Sequence, residues 1–467
     1  MSPDDGSAPS VCYFDITDIV RYARGNTRVS GIQRVQLNLI GDLVHKHGGR
    51  LIRCTFEHPD SRQMIEFDPS PLFGGQEYDA EVLLRRLGLN RGGRLFPSQA
   101  SVRSYLRKYS DNKRKRTAVK AGIYLAALFW PTRLVRMGLR RPSAAERALQ
   151  PLPMQRCERL PPNSHMVYLG MTWSQPEVTA FGLRHAGDLV QLIHDLIPQT
   201  HPQFVSRHLT RDFTQWLTDT VRSTRRFMCV SRFVAGELRR YVGPRDDIEI
   251  QPVALAHEFK GFARFDAVAL TEGDAAKAAD QPYVLCVGTM EGRKNGIVLL
   301  NAWRRLAPLL GERLPRLVFA GKPGWLIREF RATLTTEPAL ADRVAIVDSP
   351  TDRELAYLYQ HCLFTVFPSL CEGWGLPVGE AAWFGKYCIC SNATSLPEVC
   401  GSLIDYFDPN DLDALCALLQ RAIADPAYVR EKERAIAHSP MRLWSEVADD
   451  IYGFVARGHT AAASNRT

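Results

Sequence analysis

The run YVLCVG at residues 283–288 begins the stretch of sequence that decides the fold. It is a short apolar segment of the length that is typical of a buried strand. Similar runs follow it, each separated from the next by a segment of helical character: LVFAG (317–321), VAIVD (344–348), FTVFP (364–368) and YCICS (387–391). Strands that alternate with helices predict a parallel sheet, and such sheets bind ligands at the carboxyl ends of their strands.

The first half of the chain shows the same alternation less regularly. Its apolar runs are VCYFDI (11–16), MVYLG (166–170), DLVQLIHD (188–195) and FMCVS (227–231), and an amphipathic helix begins near Ile32. A single hydrophobic core stops growing near about 250–300 residues, and the chain has 467 residues. We therefore predict an α/β fold with two doubly wound, Rossmann-like domains.

Domain boundaries follow from breaks in this alternation. Residues 60–160 fit it poorly and are interpreted as an insertion, whereas a stretch rich in Ala, Asp and Gly near residue 270 is interpreted as a linker. The predicted order is a first domain at 1–262 with the insertion at about 60–160, a linker at 263–282, a second domain at 283–440, a C-terminal helix at 441–460 that returns to the first domain, and a tail at 461–467.

The positive charge of the chain is concentrated in one region. The net charge is +9, but residues 103–141 alone carry twelve basic residues against one acidic residue, so the remainder is slightly negative. An apolar run at 121–130 lies inside this region; it is too short to cross a bilayer and suits a helix lying on an anionic membrane surface. A core helix beside a solvated basic loop is the first alternative. A nucleic-acid patch is the second, but no nucleic-acid-reading motif accompanies the basic residues, so we predict no nucleic-acid partner.

The remaining composition is typical of a reduced, globular protein. Eleven cysteines occur without framework spacing, which favours free thiols over disulfides. Cys388 and Cys390 alternate in an apolar run and are interpreted as core residues. The N-terminus does not resemble a signal peptide, and no run reaches the length of a membrane span. We expect a cytoplasmic protein that is peripheral on the inner face of the cytoplasmic membrane.

The segment SLCEGWGLPVGEAAWFG (369–385) carries the clearest chemical signal. Pro377 suits the first turn of a helix, where its missing N–H costs nothing. The amides near Gly375 and Leu376 would then point out of the helix N-terminus, an anion site suited to a diphosphate. Gly373 and Gly375 would allow the backbone to approach a ligand closely.

Two carboxylates bracket this predicted anion site. Glu372 lies on the loop, and Glu380 is expected in the first turn of the helix. Two acids beside a phosphate would repel it unless they had hydroxyl partners, and sugars supply such partners: the ribose diol for Glu380 and the transferred sugar for Glu372. The alternative is a surface loop followed by ordinary helix-start acids.

A second motif, GTMEGRKNG (288–296), follows the first strand of the same domain. Its Arg293–Lys294 pair would lie at the carboxyl end of that strand, where two cations could neutralise a diphosphate leaving group. Its glycine spacing is not that of the dinucleotide fingerprint. A solvated pair of cations is the alternative, although both motifs in one domain favour a site.

These motifs resemble glycosyltransferase family 4. The resemblance rests on VGTMEGRKN, AGKPGW, SLCEGWGLPVGEA and SNATSLPEV in that order, and on QLIHDLIPQTHPQF (191–204), FMCVSRF (227–233) and SGIQRV (30–35) in the first half. The acidic pair matches the E-x7-E motif of that family. The resemblance covers 185–258 and 283–450 well and the first 50 residues moderately, and it says little about 51–160.

The resemblance implies a GT-B fold, in which two Rossmann-like domains face each other across a cleft, and transfer with retention and without a metal or other cofactor. It further implies that Arg293 and Lys294 hold the donor diphosphate, that Glu380 binds the ribose and Glu372 the donor sugar, that Gly31 lies near the phosphates, and that His194 faces the reacting carbon with Asp195 nearby. We therefore take His194, Asp195 and Glu372 as catalytic candidates. The donor-binding candidates are Gly31, Gly288, Arg293, Lys294, Glu372, Gly373, Trp374, Gly375, Leu376 and Glu380.

From this resemblance we expect transfer of a hexose, with mannose from GDP-mannose as the preferred donor, to a lipid-linked oligosaccharide or polysaccharide acceptor. A nucleotide-sugar epimerase of the same fold and a non-catalytic sugar- or membrane-binding scaffold are the alternatives. His194 and Asp195 could instead be a strand end in which Asp caps a turn. Trp325 and Trp444 are interpreted as packing residues.

Overall fold

The computed structural model describes most of the chain outside residues 90–150. The described residues are 11–26, 31–73, 79–89 and 151–457, without 163, 186–187 and 326 and with the isolated positions 117, 119 and 122. The predicted membrane-surface segment 103–141 and the tail 461–467 therefore lie outside the described residues, apart from those three positions.

A mixed sheet forms the first domain. Its described strands are β1 (Val11–Asp15), β2 (Ile52–Glu57), β3 (Met64–Phe67), β4 (Met154–Arg156), β5 (Ser164–Tyr168), β6 (Asp188–Ile193), β7 (Arg226–Cys229) and β8 (Glu249–Pro252). Their spatial order is β4-β3-β2-β1-β5-β6-β7-β8. All pairs are parallel except β2 with β3 and β3 with β4, which are antiparallel. Both ends of the segment interpreted as an insertion thus add edge strands to this sheet.

Helices alternate with most of the strands of the first sheet along the chain. Those described are α1 (Thr17–Gly25), α2 (Gly31–Leu51), α3 (Ala80–Arg86), α4 (Pro176–His185), α5 (Ile197–Thr200), α6 (Arg207–Ser223) and α7 (Arg232–Val242). Helix α2 contains a break at Gly48, whose φ is 71°. Ser206 and Ser231 cap α6 and α7 through their side chains, which satisfies amides that the first turn leaves free.

A wholly parallel sheet forms the second domain. Its described strands are β9 (Tyr283–Val287), β10 (Arg316–Gly321), β11 (Val344–Asp348), β12 (Phe364–Phe367), β13 (Cys388–Ser391) and β14 (Asp405–Phe407), in the order β11-β10-β9-β12-β13-β14. The five apolar runs that begin at residue 283 are the first five of these strands, so the predicted parallel sheet is confirmed. Cys388 and Cys390 are buried in β13, as expected.

The described helices of this half precede, separate and follow the strands of that sheet along the chain. They are α8 (Asp274–Ala278), α9 (Gly296–Leu310), α10 (Arg328–Thr336), α11 (Pro338–Ala341), α12 (Asp352–His361), α13 (Leu376–Trp383), α14 (Pro397–Cys400), α15 (Leu412–Ala424), α16 (Pro426–His438) and α17 (Trp444–Ala456). Within the described ranges no helix is both long enough and apolar enough to span a membrane.

The last helix, α17, packs on the first domain. It contacts α2 and β5, and its Trp444 and Phe454 belong to the apolar core of the first sheet. Arg226 in β7, which is fully buried, donates to the carbonyls of Phe454 and Val455 at the end of α17. The guanidinium also pairs with Asp188, so a buried charge anchors the helix terminus to the sheet.

Candidate functional site

Arg293, Lys294 and Glu372 form one charged cluster at the carboxyl edge of the second sheet. Lys294 donates from Nζ to Oε1 of Glu372, and Nη1 of Arg293 lies 2.7 Å from Oε2 of the same carboxylate. Arg293 also donates to the carbonyl of Cys371 at 3.1 Å. The structure therefore brings together the two motifs that sequence analysis assigned to one site.

Burial and charge act in opposite directions on this cluster. Burial alone would raise the pKa of Glu372, but Arg293 and Lys294 outweigh it and lower that pKa to about 2. Burial lowers the pKa of Lys294, and Glu372 opposes that change. Glu372 is consequently ionised at neutral pH, and its charge is balanced by two cations.

Glu291 is a further acid of the cluster that sequence analysis did not assign. It is buried, and its Oε1 lies 2.8 Å from Nη2 of Arg293. Burial raises the pKa of Glu291, and the charge of Arg293 opposes this. Sequence analysis could have identified Glu291 from its position two residues before Arg293, in the loop that carries the two cations.

The loop after β9 has a tightly constrained backbone. Gly292–Lys294 form a turn of 3-10 helix, and Asn295 follows with a left-handed φ of 55°. Gly288 has a φ of 145°, and a Cβ on Gly321 would lie 1.9 Å from the carbonyl oxygen of Gly288. The ends of β9 and β10 therefore approach each other too closely for a side chain at Gly321.

A cavity of about 220 Å³ adjoins the same loop. Its lining includes Gly288 and Lys294 together with the rings of Phe319, Phe330 and Phe367. The Nζ of Lys294 lies 4.8 Å from the centroid of the Phe367 ring. The amine of Lys294 is therefore held between an aromatic face and the carboxylate of Glu372.

The loop that carries Glu372 is fixed by the segment SNATSLPEV. The N–H of Glu372 donates to Oγ1 of Thr394 at 2.9 Å. The hydroxyls of Thr394 and Ser395 each lie 2.9 Å from the carbonyl oxygen of Glu372. These contacts explain why the segment belongs to the same site although it bears no charge at these positions.

Helix α13 begins where the sequence predicts. Gly375 is its N-cap with a φ of 134°, and Pro377 lies in its first turn. A Cβ on Gly375 would lie 2.6 Å from the side chain of Leu396, so a larger residue would displace the helix start. The expectation that Glu380 lies in the first turn is wrong, because α13 begins at Leu376 and one turn takes 3.6 residues. Glu380 is in the second turn.

Glu380 is bound by side chains from both domains. Its Oε1 accepts from Nη1 of Arg34 at 2.9 Å, and its Oε2 accepts from the hydroxyl of Tyr359 at 2.9 Å. Burial raises the pKa of Glu380, and Arg34 opposes this. Arg34 lies in α2 of the first domain, and sequence analysis did not assign it.

The first domain approaches the Glu372 loop at a glycine. A Cβ on Gly373 would lie 1.8 Å from the carbonyl oxygen of His194 and 3.0 Å from Cβ of Asp195. The chain can pass at this distance because residue 373 has no side chain. His194 and Asp195 therefore contact the loop that carries Glu372 directly.

His194 and Asp195 each make a defined local contact. Nε2 of His194 lies 2.7 Å from the carbonyl oxygen of Leu169, which makes Nε2 the protonated nitrogen of the neutral ring. Burial lowers the pKa of His194, so the ring is neutral at pH 7. Asp195 accepts from the N–H of Ile197 at 3.0 Å, as a residue that caps a turn does.

Gly31 and Trp374, the remaining donor-binding candidates, both lie where the two domains meet. Gly31 begins α2, and a Cβ there would lie 3.7 Å from the side chain of Leu376, so the first residue of α2 borders the start of α13. Trp374 is 5% exposed and packs in the apolar cluster that also contains Leu196 of the first domain. Its side chain therefore joins the two domains rather than lining an open surface.

Asp18 is a third residue near the site, after Glu291 and Arg34, that sequence analysis missed. It is buried, accepts from Gln36 at 2.7 Å, and lies so close to Gly170 that a Cβ there would be 2.6 Å from its carboxylate. Burial raises the pKa of Asp18, and its charge acts on His194. Sequence analysis could have identified Asp18 from its position just after β1, at the carboxyl edge of the sheet, where α/β proteins bind ligands.

The two tryptophans interpreted as packing residues have different surroundings. Trp444 is 1% exposed, which confirms the prediction, whereas Trp325 is 54% exposed, so the prediction is wrong there. Trp325 donates from Nε1 to the carbonyl of Phe204 at 3.0 Å. The indole thus crosses between the domains instead of entering a core.

Comparison with solved structures decides the architecture. HepE from Anabaena in complex with UDP-glucose aligns with a TM-score of 0.54 at 12% identity, over 96% of this chain and 100% of that one. Sucrose-phosphate synthase from Thermosynechococcus elongatus aligns with a TM-score of 0.56 at 18% identity, over 96% of this chain and 98% of that one. The chain has the GT-B fold. Both domains of this GT-B fold contribute residues to the contacts of Glu380 and Gly373 described above.

Sequence comparison finds relatives for parts of the chain. Residues 271–439 match the family model of the group 1 glycosyl transferases. The O-antigen chain mannosyltransferase B of Escherichia coli is 32% identical over 240 residues, 51% of this chain and 62% of the relative. The serotype-specific mannosyltransferase WbdA of Escherichia coli is 28% identical over 263 residues, 56% of this chain and 32% of the relative. The chain thus spans less than two thirds of the length of these relatives.

Proposed function

We propose that the protein is a retaining mannosyltransferase that transfers mannose from GDP-mannose to a polysaccharide or lipid-linked oligosaccharide acceptor. The observation that carries the proposal is that Arg293 and Lys294 both pair with Glu372 just before the start of α13. In addition, His194 of the other domain contacts Gly373, the residue after Glu372. Similarity to the two Escherichia coli mannosyltransferases supports the choice of sugar. The first of these relatives acts on the O-antigen chain according to its name, which supports a polysaccharide acceptor.

In the proposed reaction the two cations bind the diphosphate of the donor, and the amides at the N-terminus of α13 bind its oxygens. The bond between C1 of mannose and the diphosphate breaks while an acceptor hydroxyl bonds to C1 from the same face. The hydroxyl proton passes to the departing diphosphate oxygen. The products are the mannoside and GDP, and no protein nucleophile is needed.

The acids and the histidine serve this reaction without taking up the transferred group. Glu372, which is ionised, accepts hydroxyls of the mannose, and Glu380 accepts the ribose diol. His194 is neutral and borders C1, so it adds no positive charge where positive charge develops. We propose that neither a metal nor another cofactor takes part, in keeping with a cluster whose counter-charges are Arg293 and Lys294.

The test is donor turnover with GDP-, UDP- and ADP-sugars, with and without polysaccharide acceptor. We expect acceptor-dependent release of GDP from GDP-mannose, an α-mannoside by NMR, and an unchanged rate in chelator. An isomerised sugar formed without acceptor would favour an epimerase. A folded protein that turns over none of these donors would favour a non-catalytic scaffold, and either outcome contradicts the proposal.

The matched control is a variant of an exposed ion pair of the same domain. Glu372→Gln removes the charge that pairs with Arg293 and Lys294, whereas Glu337→Gln removes a charge from a surface pair with Arg304. Only the first change should lower turnover strongly, by about 100-fold or more. Equal loss in both variants would mean that the assay reports folding rather than the site.

A further inference from the structure

Arg34 connects the first domain to the acid that the proposed function assigns to the donor ribose. It lies in α2, one helical turn after Gly31, and pairs with Glu380 in α13. Gly31 itself borders Leu376, the first residue of α13. Two successive turns of α2 thus lie along two successive turns of α13.

The guanidinium of Arg34 is held on three sides. Its Nη1 donates to Glu380 at 2.9 Å, and its Nη2 lies 2.5 Å from Oδ1 of Asp352. Its central carbon lies 5.0 Å from the centroid of the Phe259 ring. Because Asp352, Phe259 and Glu380 come from different segments, their contacts together fix the position of the side chain.

In this arrangement the carboxylate of Glu380 can accept only a few hydrogen bonds besides those from Arg34 and Tyr359. Each carboxylate oxygen has two lone-pair directions, and Arg34 and Tyr359 take one on each oxygen. One direction per oxygen remains, which is the number needed to accept the two hydroxyls of a ribose diol. The protein donors therefore set the orientation in which a diol would be bound.

We propose that Arg34 is a positioning residue through which the first domain completes the ribose subsite of the second, so that nucleotide affinity depends on the contact between α2 and α13. This inference rests on the assignment of Glu380 to the ribose. Burial raises the pKa of Glu380, and the charge of Arg34 opposes that rise, so Arg34 favours the ionised form of the buried carboxylate. If Glu380 were protonated, one of its oxygens would become a hydroxyl that donates a hydrogen bond, and the carboxyl group would accept fewer hydrogen bonds from a diol.

The charges that face Glu380 support this role. Arg34 from α2 favours its ionised form, the Tyr359 hydroxyl from α12 also favours it, and Asp352 from α12 opposes it. Loss of Arg34 would leave Asp352 as the charge acting on Glu380 and would raise the pKa of Glu380 further. The deficit of an Arg34 variant should consequently be larger at pH 6 than at pH 8.

The experiment measures GDP, UDP and ADP binding by calorimetry for the full chain and for Arg34→Gln, Glu380→Gln and the double variant. Arg34→Gln should weaken the preferred nucleotide by about 10-fold or more at pH 7, the scale of one hydrogen bond to a charged group. The double variant should bind no more weakly than Glu380→Gln alone. Arg34→Lys should recover part of the affinity, and Arg304→Gln, which disrupts an exposed ion pair outside the site, should retain it.

Hydrogen exchange of residues 376–383 in the ligand-free protein provides a second readout that does not need nucleotide binding. Arg34→Gln and Glu380→Gln should raise exchange there equally, and the double variant should raise it no further. If the unchanged protein binds no nucleotide, the proposed function fails, and exchange alone decides whether Arg34 positions Glu380. Additive losses in affinity, or exchange unaffected by Arg34→Gln, would overturn the inference.

Discussion

Gly373 and His194 lie in backbone contact across the cleft, at a distance that excludes any side chain on residue 373. A Cβ built there would be 1.8 Å from the carbonyl oxygen of His194. The two residues belong to different domains and are separated by 179 positions in the sequence. This contact sets how closely the first domain can approach the loop that carries Glu372.

Replacement of Gly373 by alanine should therefore misplace the loop and reduce turnover by about 100-fold, the scale expected from an error of about 1 Å in site geometry. Gly236→Ala is the matched control, because a Cβ there meets no atom within 4 Å and lies in a helix. Steady-state kinetics of both variants check this prediction. A fully active, folded Gly373→Ala protein would contradict it.

Removal of either member of the Lys294–Glu372 pair should lower turnover at least about 100-fold, the usual scale for loss of a charge-stabilising group. Lys294→Ala removes the cation that we propose binds the diphosphate, and Glu372→Ala removes the carboxylate that we propose accepts sugar hydroxyls. Arg304→Ala, which removes an exposed cation, should leave turnover unchanged. Unchanged rates in the first two variants, with folding verified by circular dichroism, would exclude this cluster as the site.

The parts of the fold and site that sequence could predict are those encoded within short segments. The strands of the second sheet are continuous apolar runs, and the positions of Gly375 and Pro377 mark the start of α13 by their backbone preferences alone. Adjacency in sequence also places Arg293 and Lys294 on one loop. Each of these predictions needs no knowledge of distant contacts.

The parts that sequence could not predict depend on partners far apart in the chain. Arg34 meets Glu380 only because α2 and α13 lie side by side, and nothing in SGIQRV marks it as an ion-pair residue. Trp325 looks like a core residue by type, yet its position on a loop between the domains leaves it exposed. The edge strand β4 is three residues long, which is too short for a periodic signal.

The folded state should lose stability from the Glu372 cluster as the pH falls from about 4.5 towards 2. The pKa of Glu372 is lowered to about 2 against an ordinary value of 4.5, so its contribution is present above the ordinary value and is lost as pH falls through the folded one. Denaturant unfolding of the unchanged protein and of Glu372→Gln at pH 5 and pH 3 tests this. The stability difference between them should be smaller at pH 3, and an equal or larger difference would contradict the prediction.

Arg226→Met should destabilise the protein by about 3–5 kcal/mol, the range for removing one partner of a buried ion pair. The change leaves the Asp188 carboxylate without its guanidinium and the carbonyl of Phe454 without its donor. Arg304→Met, which disrupts an exposed pair, should change stability by less than about 0.5 kcal/mol. The midpoint of chemical denaturation measures both, and equal midpoints for the two variants would be inconsistent with an anchoring role of Arg226.

Binding to anionic membranes should depend on the basic residues between 103 and 141. Each Lys or Arg near such a surface adds about 1 kcal/mol of attraction, so neutralising Lys113, Arg114, Lys115 and Arg116 together should abolish most of the binding. Flotation with vesicles of phosphatidylglycerol, and with neutral phosphatidylcholine vesicles for comparison, measures this. The matched control neutralises four exposed arginines of the first domain, Arg207, Arg211, Arg222 and Arg240, which changes the net charge equally. If the control loses binding as much as the first variant does, the attraction comes from overall charge and the 103–141 segment is not the membrane-binding element.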